Sequence, residues 1–200
     1  MEDPFYELVE SYLSKVGTLR AVVCHSLVAR QPSAHLPQPP ARIAYIGGGA
    51  GHQAIPLARE GYEVTLLEPS RAMLRVARGI LESEEEGTRR RVRLVEGAGE
   101  RAREILGGFP FDAVLCHGLL QYLEDSYPLI QSLASVARPG AVISVLAKNT
   151  NALAVRPALE GRFEDALTAL DADQDLGRLG AVTRGDTVAD LHGLFEKVGA

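Results

Sequence analysis

The sequence predicts an α/β protein with a doubly wound parallel sheet and helices on both faces. Apolar runs of strand length occur at 42–46, 63–67, 91–95, 112–116 and 141–147. Amphipathic stretches between these runs predict helices over 51–60, 70–83, 99–106 and 126–137. This alternation is typical of parallel strands, because a parallel neighbour can be reached only through a long crossover that is usually a helix.

Residues 1–40 precede this alternation and predict a helical cap followed by a Pro-rich linker. A helix start is predicted at Asp3–Pro4, and apolar residues then recur at helical spacing over 5–13 and over 21–30. Four prolines between 31 and 40 predict the linker. We therefore divide the chain into this cap, residues 1–40, and a second domain over residues 41–200.

The C-terminal end predicts a helix over 186–198. A sheet of this type usually has two further strands after the run at 141–147, and we expect them to be absent from the chain. The run at 141–147 would then be an apolar edge strand, which promotes association with other chains. We expect a homodimer or a missing C-terminal segment to cover this edge.

Composition places the chain among ordinary globular proteins, with 46% hydrophobic and 24% charged residues. A net charge of -5 gives no global electrostatic argument for binding nucleic acid. Cys24 and Cys116 are far apart and lack metal-ligand spacing, so we expect a reduced thiol compartment and no metal site. No membrane span or signal sequence is evident, and we expect a cytoplasmic protein.

Glycines dominate the turn after the first predicted strand, at Gly47, Gly48, Gly49 and Gly51. They let the backbone turn sharply and let a ligand approach closely, because no Cβ intervenes. Glu68 ends the second predicted strand, where an acid can accept hydrogen bonds from a ribose. Together these residues predict a site for a nucleoside cofactor.

Two cofactor fingerprints overlap in this turn. Residues 49–54 satisfy the dinucleotide pattern G-x-G-x-x-A, and residues 47–51 satisfy the G-x-G-x-G pattern of S-adenosylmethionine enzymes. No tyrosine in the chain has a lysine four residues later, which argues against nicotinamide reductases of the short-chain type. The turn alone leaves both cofactors open.

The segments after the fourth and fifth predicted strands resemble the class I S-adenosylmethionine-dependent methyltransferases, which have a Rossmann-like sheet. The resemblance is carried by Phe111 to Asp125, by Leu133 to Gly140 and by Ile143 to Asn149. It is closest to the bacterial subgroup that contains the tRNA 5-carboxymethoxyuridine methyltransferase. That subgroup is also similar at Gly161-Arg-Phe163 and at Lys15-Val-Gly-Thr-Leu-Arg20. The resemblance covers nearly the whole chain outside the linker.

The resemblance implies S-adenosyl-L-methionine as the cofactor and assigns a set of residues to it. Arg20 would pair with the cofactor carboxylate, Gly97 and Ala98 would present backbone to the adenine, and His117 would contact the cofactor. His117 is also a weak candidate for a catalytic base, and no other catalytic residue is assigned. The implied cofactor-binding set is Arg20, Gly47, Gly48, Gly49, Gly51, Glu68, Pro69, Gly97, Ala98 and His117. The implied substrate-side residues are Tyr122, Asn149 and Arg184.

Several positions depart from the family pattern. Tyr45 replaces an acid in the first strand, Gln121 replaces a glutamate, Lys148 replaces an aromatic residue and Arg162 replaces an asparagine. These departures indicate that the cofactor side is retained while the substrate side has changed.

The implied reaction is an SN2 methyl transfer to an oxygen, nitrogen or carboxylate acceptor, with a tRNA wobble-uridine carboxylate among the candidates. Three alternatives stay open. They are a small-molecule methyltransferase of specialised metabolism, an NAD-dependent oxidoreductase and a non-catalytic module that binds S-adenosylmethionine.

Overall fold

The computed structural model describes residues 6–107, 110–177 and 180–200. At its centre lies a parallel sheet in the order β3-β2-β1-β4-β5. Its strands are β1 (Arg42–Ile46), β2 (Glu63–Glu68), β3 (Val92–Glu96), β4 (Phe111–His117) and β5 (Ala137–Leu146). The order reverses between β1 and β4. In open sheets of this kind the ligand crevice lies at the carboxyl ends of the strands at that reversal.

Helices cover both faces of the sheet, which confirms the predicted doubly wound fold. The connecting helices are α3 (Ala54–Arg59), α4 (Arg71–Glu82), α5 (Glu86–Arg91), α6 (Ala102–Leu106) and α7 (Tyr127–Val136). Successive residues of β1 face opposite sides, so Ile43 and Tyr45 join one buried cluster while Ala44 and Ile46 join the other. Each fully buried Ile or Leu side chain stabilises the fold by about 1.5–3 kcal/mol.

Two helices precede the sheet, α1 (Tyr6–Val16) and α2 (Leu19–Ser33). The Thr18 hydroxyl accepts a hydrogen bond from Ala21 N–H and caps α2. Val9 of α1 packs in a cluster with Ala50 and Met73, so the N-terminal segment lies against the glycine loop and α4. The predicted start at Asp3–Pro4 lies outside the described residues.

The predicted linker begins too early. α2 continues through Pro32, which is buried in the last turn. The fixed φ of proline is compatible with a helix, and near the helix end its missing N–H costs only one hydrogen bond. The division at residue 40 stays a prediction.

The predicted strands and helices of the sheet region match the observed elements to within a few residues. Two features differ: α5 was not predicted, and β5 begins at Ala137 rather than 141. Ala137 pairs with Phe111, and the register then shifts so that Val142 pairs with Ala113. Pro139 and Gly140 therefore lie in a bulge inside the strand, where Gly140 has a φ of 77°.

The C-terminal part contains short elements that the sequence did not predict, together with one that it did. α8 (Val155–Leu159), α9 (Phe163–Thr168) and an antiparallel hairpin of β6 (Gln174–Leu176) and β7 (Val182–Arg184) were not predicted. α10 (Val188–Lys197) matches the predicted C-terminal helix, and Thr187 and Asp190 form its capping box. Within the described residues, β5 is hydrogen bonded to β4 alone and the hairpin forms a separate sheet.

In the ranges that the structure describes, no helix combines the length and apolar character needed to cross a membrane. The cytoplasmic location and the homodimer stay predictions.

Candidate functional site

A cavity of about 340 Å³ lies where the strand order reverses. Its wall comes from the glycine loop after β1, from the end of β2 and from the turn that follows β4. Tyr12 of α1 and His25 of α2 line the opposite side. The fold therefore brings the predicted ligand crevice and the N-terminal cap together around one space.

Glu68 joins the glycine loop to the end of β2. One carboxylate oxygen accepts a hydrogen bond from Gly49 N–H at 2.9 Å, and the other accepts one from Ser70 N–H at 2.9 Å. The side chain is only 5% exposed, although it lines the cavity. A carboxylate has about four acceptor positions, so a group held in this way can also accept bonds from a vicinal diol.

Gly49 gives the loop its open surface. Its φ of 55° lies in the left-handed region, and a Cβ at this position would meet no described atom within 4 Å. Gly48 differs, because a Cβ there would lie 2.8 Å from Cγ of Leu66. Gly48 is therefore required by packing, whereas Gly49 leaves its space to a ligand.

His117 is held between two hydroxyl groups at the end of β4. Its Nδ1 lies 2.8 Å from the Tyr45 hydroxyl, and its Nε2 lies 3.0 Å from Oγ of Ser144. Burial lowers the pKa of His117 to about 4, and burial also raises the pKa of Tyr45. The imidazole is therefore neutral at pH 7, with one ring nitrogen donating and the other accepting.

The cap side of the cavity carries a group of three rings. The ring centroids of His25 and His52 lie 5.9 Å apart in a stacked arrangement, and those of Tyr12 and His52 lie 6.0 Å apart. The Gln53 side-chain amide donates to the carbonyl of His25 at 3.0 Å, which ties α2 to the residues after the glycine loop. Burial lowers the pKa of both histidines, and the neighbouring His25 lowers that of His52 further.

The structure brings part of the sequence-predicted set together. Gly47, Gly48, Gly49, Glu68, Pro69, His117 and Tyr122 all line the cavity. The other predicted residues are not among the described residues of the lining, namely Arg20, Gly51, Gly97, Ala98, Asn149 and Arg184.

These residues outside the lining have local roles. Arg20 is exposed on α2. Gly97 N–H donates to the carbonyl of Glu68 at 3.1 Å and so fixes the β2 end against β3. Arg184 donates to the carbonyl of Leu123 at 2.7 Å and pairs with Asp186 at 3.0 Å. Their contact with cofactor or substrate stays a prediction.

A second cavity of about 450 Å³ adjoins the first, because Gly118, Gln121, Tyr122 and Leu146 line both. Its other wall comes from the end of β5, from α8 and from the β6–β7 hairpin. Two cationic side chains, Lys148 and Arg156, line this wall; within the described part of the lining there is no acid. Each of these cations is ion-paired, Lys148 with Asp175 and Arg156 with Glu160, so the second cavity offers cationic hydrogen-bond donors whose charge is matched by neighbouring acids.

Lys148 fastens the hairpin to the end of β5. Its ammonium group pairs with Asp175 and donates to Oγ1 of Thr183 at 2.9 Å. Asp186 N–H also donates to the carbonyl of Lys148 at 2.8 Å, which continues the attachment along the backbone. The lysine that departs from the family pattern thus builds one wall of the second cavity.

Sequence reasoning missed the residues that the N-terminal cap contributes to the first cavity. Tyr12 carried only a helical-periodicity signal, and His25 carried none. His52 could have been identified from the sequence, because it directly follows Gly51 in the glycine loop. Tyr45 was noted as an anomaly, but its contact with His117 spans 72 residues of sequence.

Comparison with known proteins gives a consistent result. A family model described as a methyltransferase domain matches residues 45–143. The tRNA 5-carboxymethoxyuridine methyltransferase of Escherichia coli K12 is 30% identical over 123 residues, which are 62% of this chain and 46% of the relative. The ubiquinone biosynthesis O-methyltransferase of Xanthomonas axonopodis pv. citri is 32% identical over 129 residues, 64% of this chain and 52% of the relative. The chain thus spans about half the length of these curated relatives.

Solved structures agree on the fold. The magnesium protoporphyrin IX methyltransferase of Synechocystis PCC 6803, solved with bound S-adenosylhomocysteine, has a TM-score of 0.64 and 20% identity. The match covers 88% of this chain and 71% of that one. At this identity the likeness concerns the arrangement of strands and helices.

Proposed function

The chain belongs to the class I S-adenosylmethionine-dependent methyltransferases, and on this premise we propose that it transfers a methyl group to an acceptor held in the second cavity. The observation that carries the proposal is the position of Glu68 beside Gly49 in the first cavity. Their position places a hydrogen-bond acceptor for a ribose next to a glycine loop that a ligand can approach closely. Residues 1–40 act in this proposal as the cap over the cofactor.

The residues of the first cavity fit S-adenosylmethionine. When bound, this cofactor supplies a methyl group that is activated by a positively charged sulfonium. His117 is neutral because its pKa is about 4, so it adds no positive charge to the wall. Neither lysine nor arginine occurs among the described residues that line this cavity. The cavity therefore accepts a cationic sulfur without electrostatic repulsion.

Methyl transfer of this kind depends mainly on alignment. Holding two reactants in the correct geometry can lower a barrier by roughly 7–11 kcal/mol. The four residues that line both cavities, from Gly118 to Leu146, mark where donor and acceptor would meet. In this proposal Tyr45 and Ser144 fix the His117 ring on the donor side of that junction.

The acceptor that we propose is an oxygen with negative charge, above all a carboxylate. Lys148 and Arg156 line the second cavity, and N–H groups that their ion pairs with Asp175 and Glu160 do not use would donate hydrogen bonds to such a group. A carboxylate needs no general base, which agrees with the low proton affinity of His117. The similarity to the tRNA 5-carboxymethoxyuridine methyltransferase supports a modified tRNA uridine as this acceptor.

A small-molecule acceptor is the second candidate. The 32% identity with a ubiquinone biosynthesis O-methyltransferase supports it, as does the net charge of -5, which gives tRNA no global attraction. A phenolic acceptor would require a base, and the pKa of His117 is low for that role. We therefore favour a carboxylate acceptor over a phenolic one.

Transfer from methyl-labelled S-adenosylmethionine tests the proposal. The protein is incubated with bulk tRNA or with a metabolite extract, and the products are then treated with mild alkali. We expect label in tRNA that alkali releases, because methyl esters hydrolyse while ethers and methylamines do not. Alkali-stable label in a metabolite would contradict the carboxylate acceptor and support the small-molecule acceptor instead. Tight binding of S-adenosylhomocysteine without transfer to either pool would indicate a non-catalytic binding module.

A further inference from the structure

The histidine pair on the cap side of the first cavity has a chemical feature that the ribose and methyl sites do not use. His52 Nε2 is buried and has no hydrogen-bond partner within the described part of the chain. A buried polar atom without a hydrogen-bond partner destabilises the structure that contains it. Such an atom beside a ligand cavity points to a partner that the ligand supplies.

The charges around the cavity indicate which chemical group of the ligand that partner would be. The titratable residues facing it are Tyr12, Cys24, His25, Tyr45, His52, Glu68, His117 and Tyr122. Glu68 is the one acid among them and would repel a ligand carboxylate. His117 is occupied on both ring nitrogens by Tyr45 and Ser144. Among the lining side chains that can carry a positive charge, those that remain for an anionic group are His25 and His52.

We propose that the stacked His25–His52 pair binds the amino-acid carboxylate of the cofactor and takes up a proton when it does so. The proposal rests on the proposed function, which supplies the cofactor. It is an alternative to Arg20, the partner that the sequence predicted, which is exposed and is not among the described residues of the lining. His52 directly follows the glycine loop, so the carboxylate would lie at the loop end of the cavity.

The uptake of a proton on binding has an electrostatic cause. Burial holds the pKa of both histidines below the ordinary value, so the pair is mainly neutral at neutral pH. A bound carboxylate favours the charged imidazole and raises its pKa. By linkage, binding therefore strengthens as the pH falls towards the lowered pKa of the histidines in the free protein, and weakens as the pH rises.

Calorimetry with two ligands tests this assignment. S-adenosylhomocysteine is compared with its decarboxylated analogue, which keeps the adenosine, the sulfur and the amine. Titrations at pH 6, 7 and 8 in buffers with different ionisation enthalpies give the number of protons taken up. His25→Phe and His52→Phe keep the stacked rings but remove the ring nitrogens. His192→Phe makes the same change at an exposed position on α10.

We expect proton uptake with S-adenosylhomocysteine, tighter binding at pH 6 than at pH 8, and neither effect with the decarboxylated analogue. His52→Phe should weaken S-adenosylhomocysteine at least tenfold, change the analogue less than twofold and abolish the proton uptake. Binding without pH dependence, or equal losses for both ligands, would refute the histidine assignment while leaving the proposed function intact. Failure of the wild-type protein to bind either ligand would instead refute the proposed function.

Discussion

The two cavities of this protein are built in different ways. The first cavity is formed largely by short segments at the carboxyl ends of strands. These segments are 47–53 after β1, 68–69 at the end of β2 and 117–119 at the end of β4. The second depends on Lys148, which reaches Asp175 and Thr183 across 27 and 35 residues of sequence. One cavity is thus fixed by the sheet itself, and the other by an attachment between distant segments.

This difference determines which features a change in sequence disturbs. Changes at the strand ends should alter cofactor binding and stability together, because the same backbone forms both. Changes at the hairpin attachment should alter the acceptor side while cofactor binding stays intact. Four substitutions test this separation, and they are arranged from the largest expected effect to the smallest.

Glu68→Ala should have the largest effect on the first cavity. It removes a ribose acceptor and the partner of two backbone N–H groups. A hydrogen bond with a charged group contributes about 1.5–3 kcal/mol, so the Kd for S-adenosylhomocysteine should rise by about 10- to 150-fold. Glu96→Ala is the matched control, because Glu96 pairs in register with Glu68 but lies at an exposed surface ion pair. Unchanged affinity in Glu68→Ala would disprove the ribose assignment.

His117 should make stability depend on pH. Its pKa is about 4 in the folded protein and about 6.5 in an unfolded chain. The unfolded chain therefore binds more protons between these values, and the free energy of unfolding should fall as the pH drops from 6.5 to 4. The contribution is at most about 3 kcal/mol.

Urea denaturation at several pH values measures this dependence. His117→Phe should be less stable at pH 7, because two hydroxyl groups lose their partner, but its stability should vary less between pH 6.5 and 4. The exposed His192 provides the comparison, and His192→Phe should keep the wild-type slope. An equally steep slope in His117→Phe would show that His117 is not held neutral.

Gly49→Ala should have a moderate effect. A φ of 55° costs a residue with a side chain about 1–2 kcal/mol, so the free energy of unfolding should fall by that amount. Affinity for S-adenosylhomocysteine should fall as well, because the added methyl group occupies the open space of the loop. Gly79→Ala lies inside α4 and should instead stabilise the protein by about 0.4–1 kcal/mol. If the Gly49→Ala protein is stable and binds S-adenosylhomocysteine with normal affinity, the cofactor does not bind against this loop.

Lys148→Met should have the smallest effect on stability. The ion pair is partly exposed, with side-chain accessibilities of 25% and 30%, so we expect a loss of no more than about 1 kcal/mol. Methyl transfer should slow while calorimetry shows unchanged affinity for S-adenosylhomocysteine. Arg90→Met removes an exposed ion pair with Glu86 on α5 and should change neither quantity. Reduced cofactor affinity in Lys148→Met would show that the two cavities are not independent.

The part of the site that sequence predicts is the part that local physics constrains. Gly49 and Glu68 follow strands with clear apolar patterns, and parallel strands bring their carboxyl ends together. Their proximity therefore follows from the strand pattern alone, and the two residues meet in a hydrogen bond of 2.9 Å. His117 ends β4 at the same edge of the sheet and lines the same cavity.

The remaining features depend on contacts that no local pattern specifies. The Tyr45–His117 contact depends on the pairing of β1 with β4. The His25–His52 stack depends on how α2 packs over the loop, and no sequence motif includes His25. The β6–β7 hairpin has strands of three residues each, too short for a periodic signal.

Isothermal calorimetry of the wild-type protein with S-adenosylhomocysteine and with NAD(H) tests most directly whether the glycine-loop cavity is a methyltransferase cofactor site. We predict that S-adenosylhomocysteine binds with one-to-one stoichiometry and that NAD(H) gives no measurable heat of binding. Tight binding of NAD(H) without binding of S-adenosylhomocysteine would contradict the account.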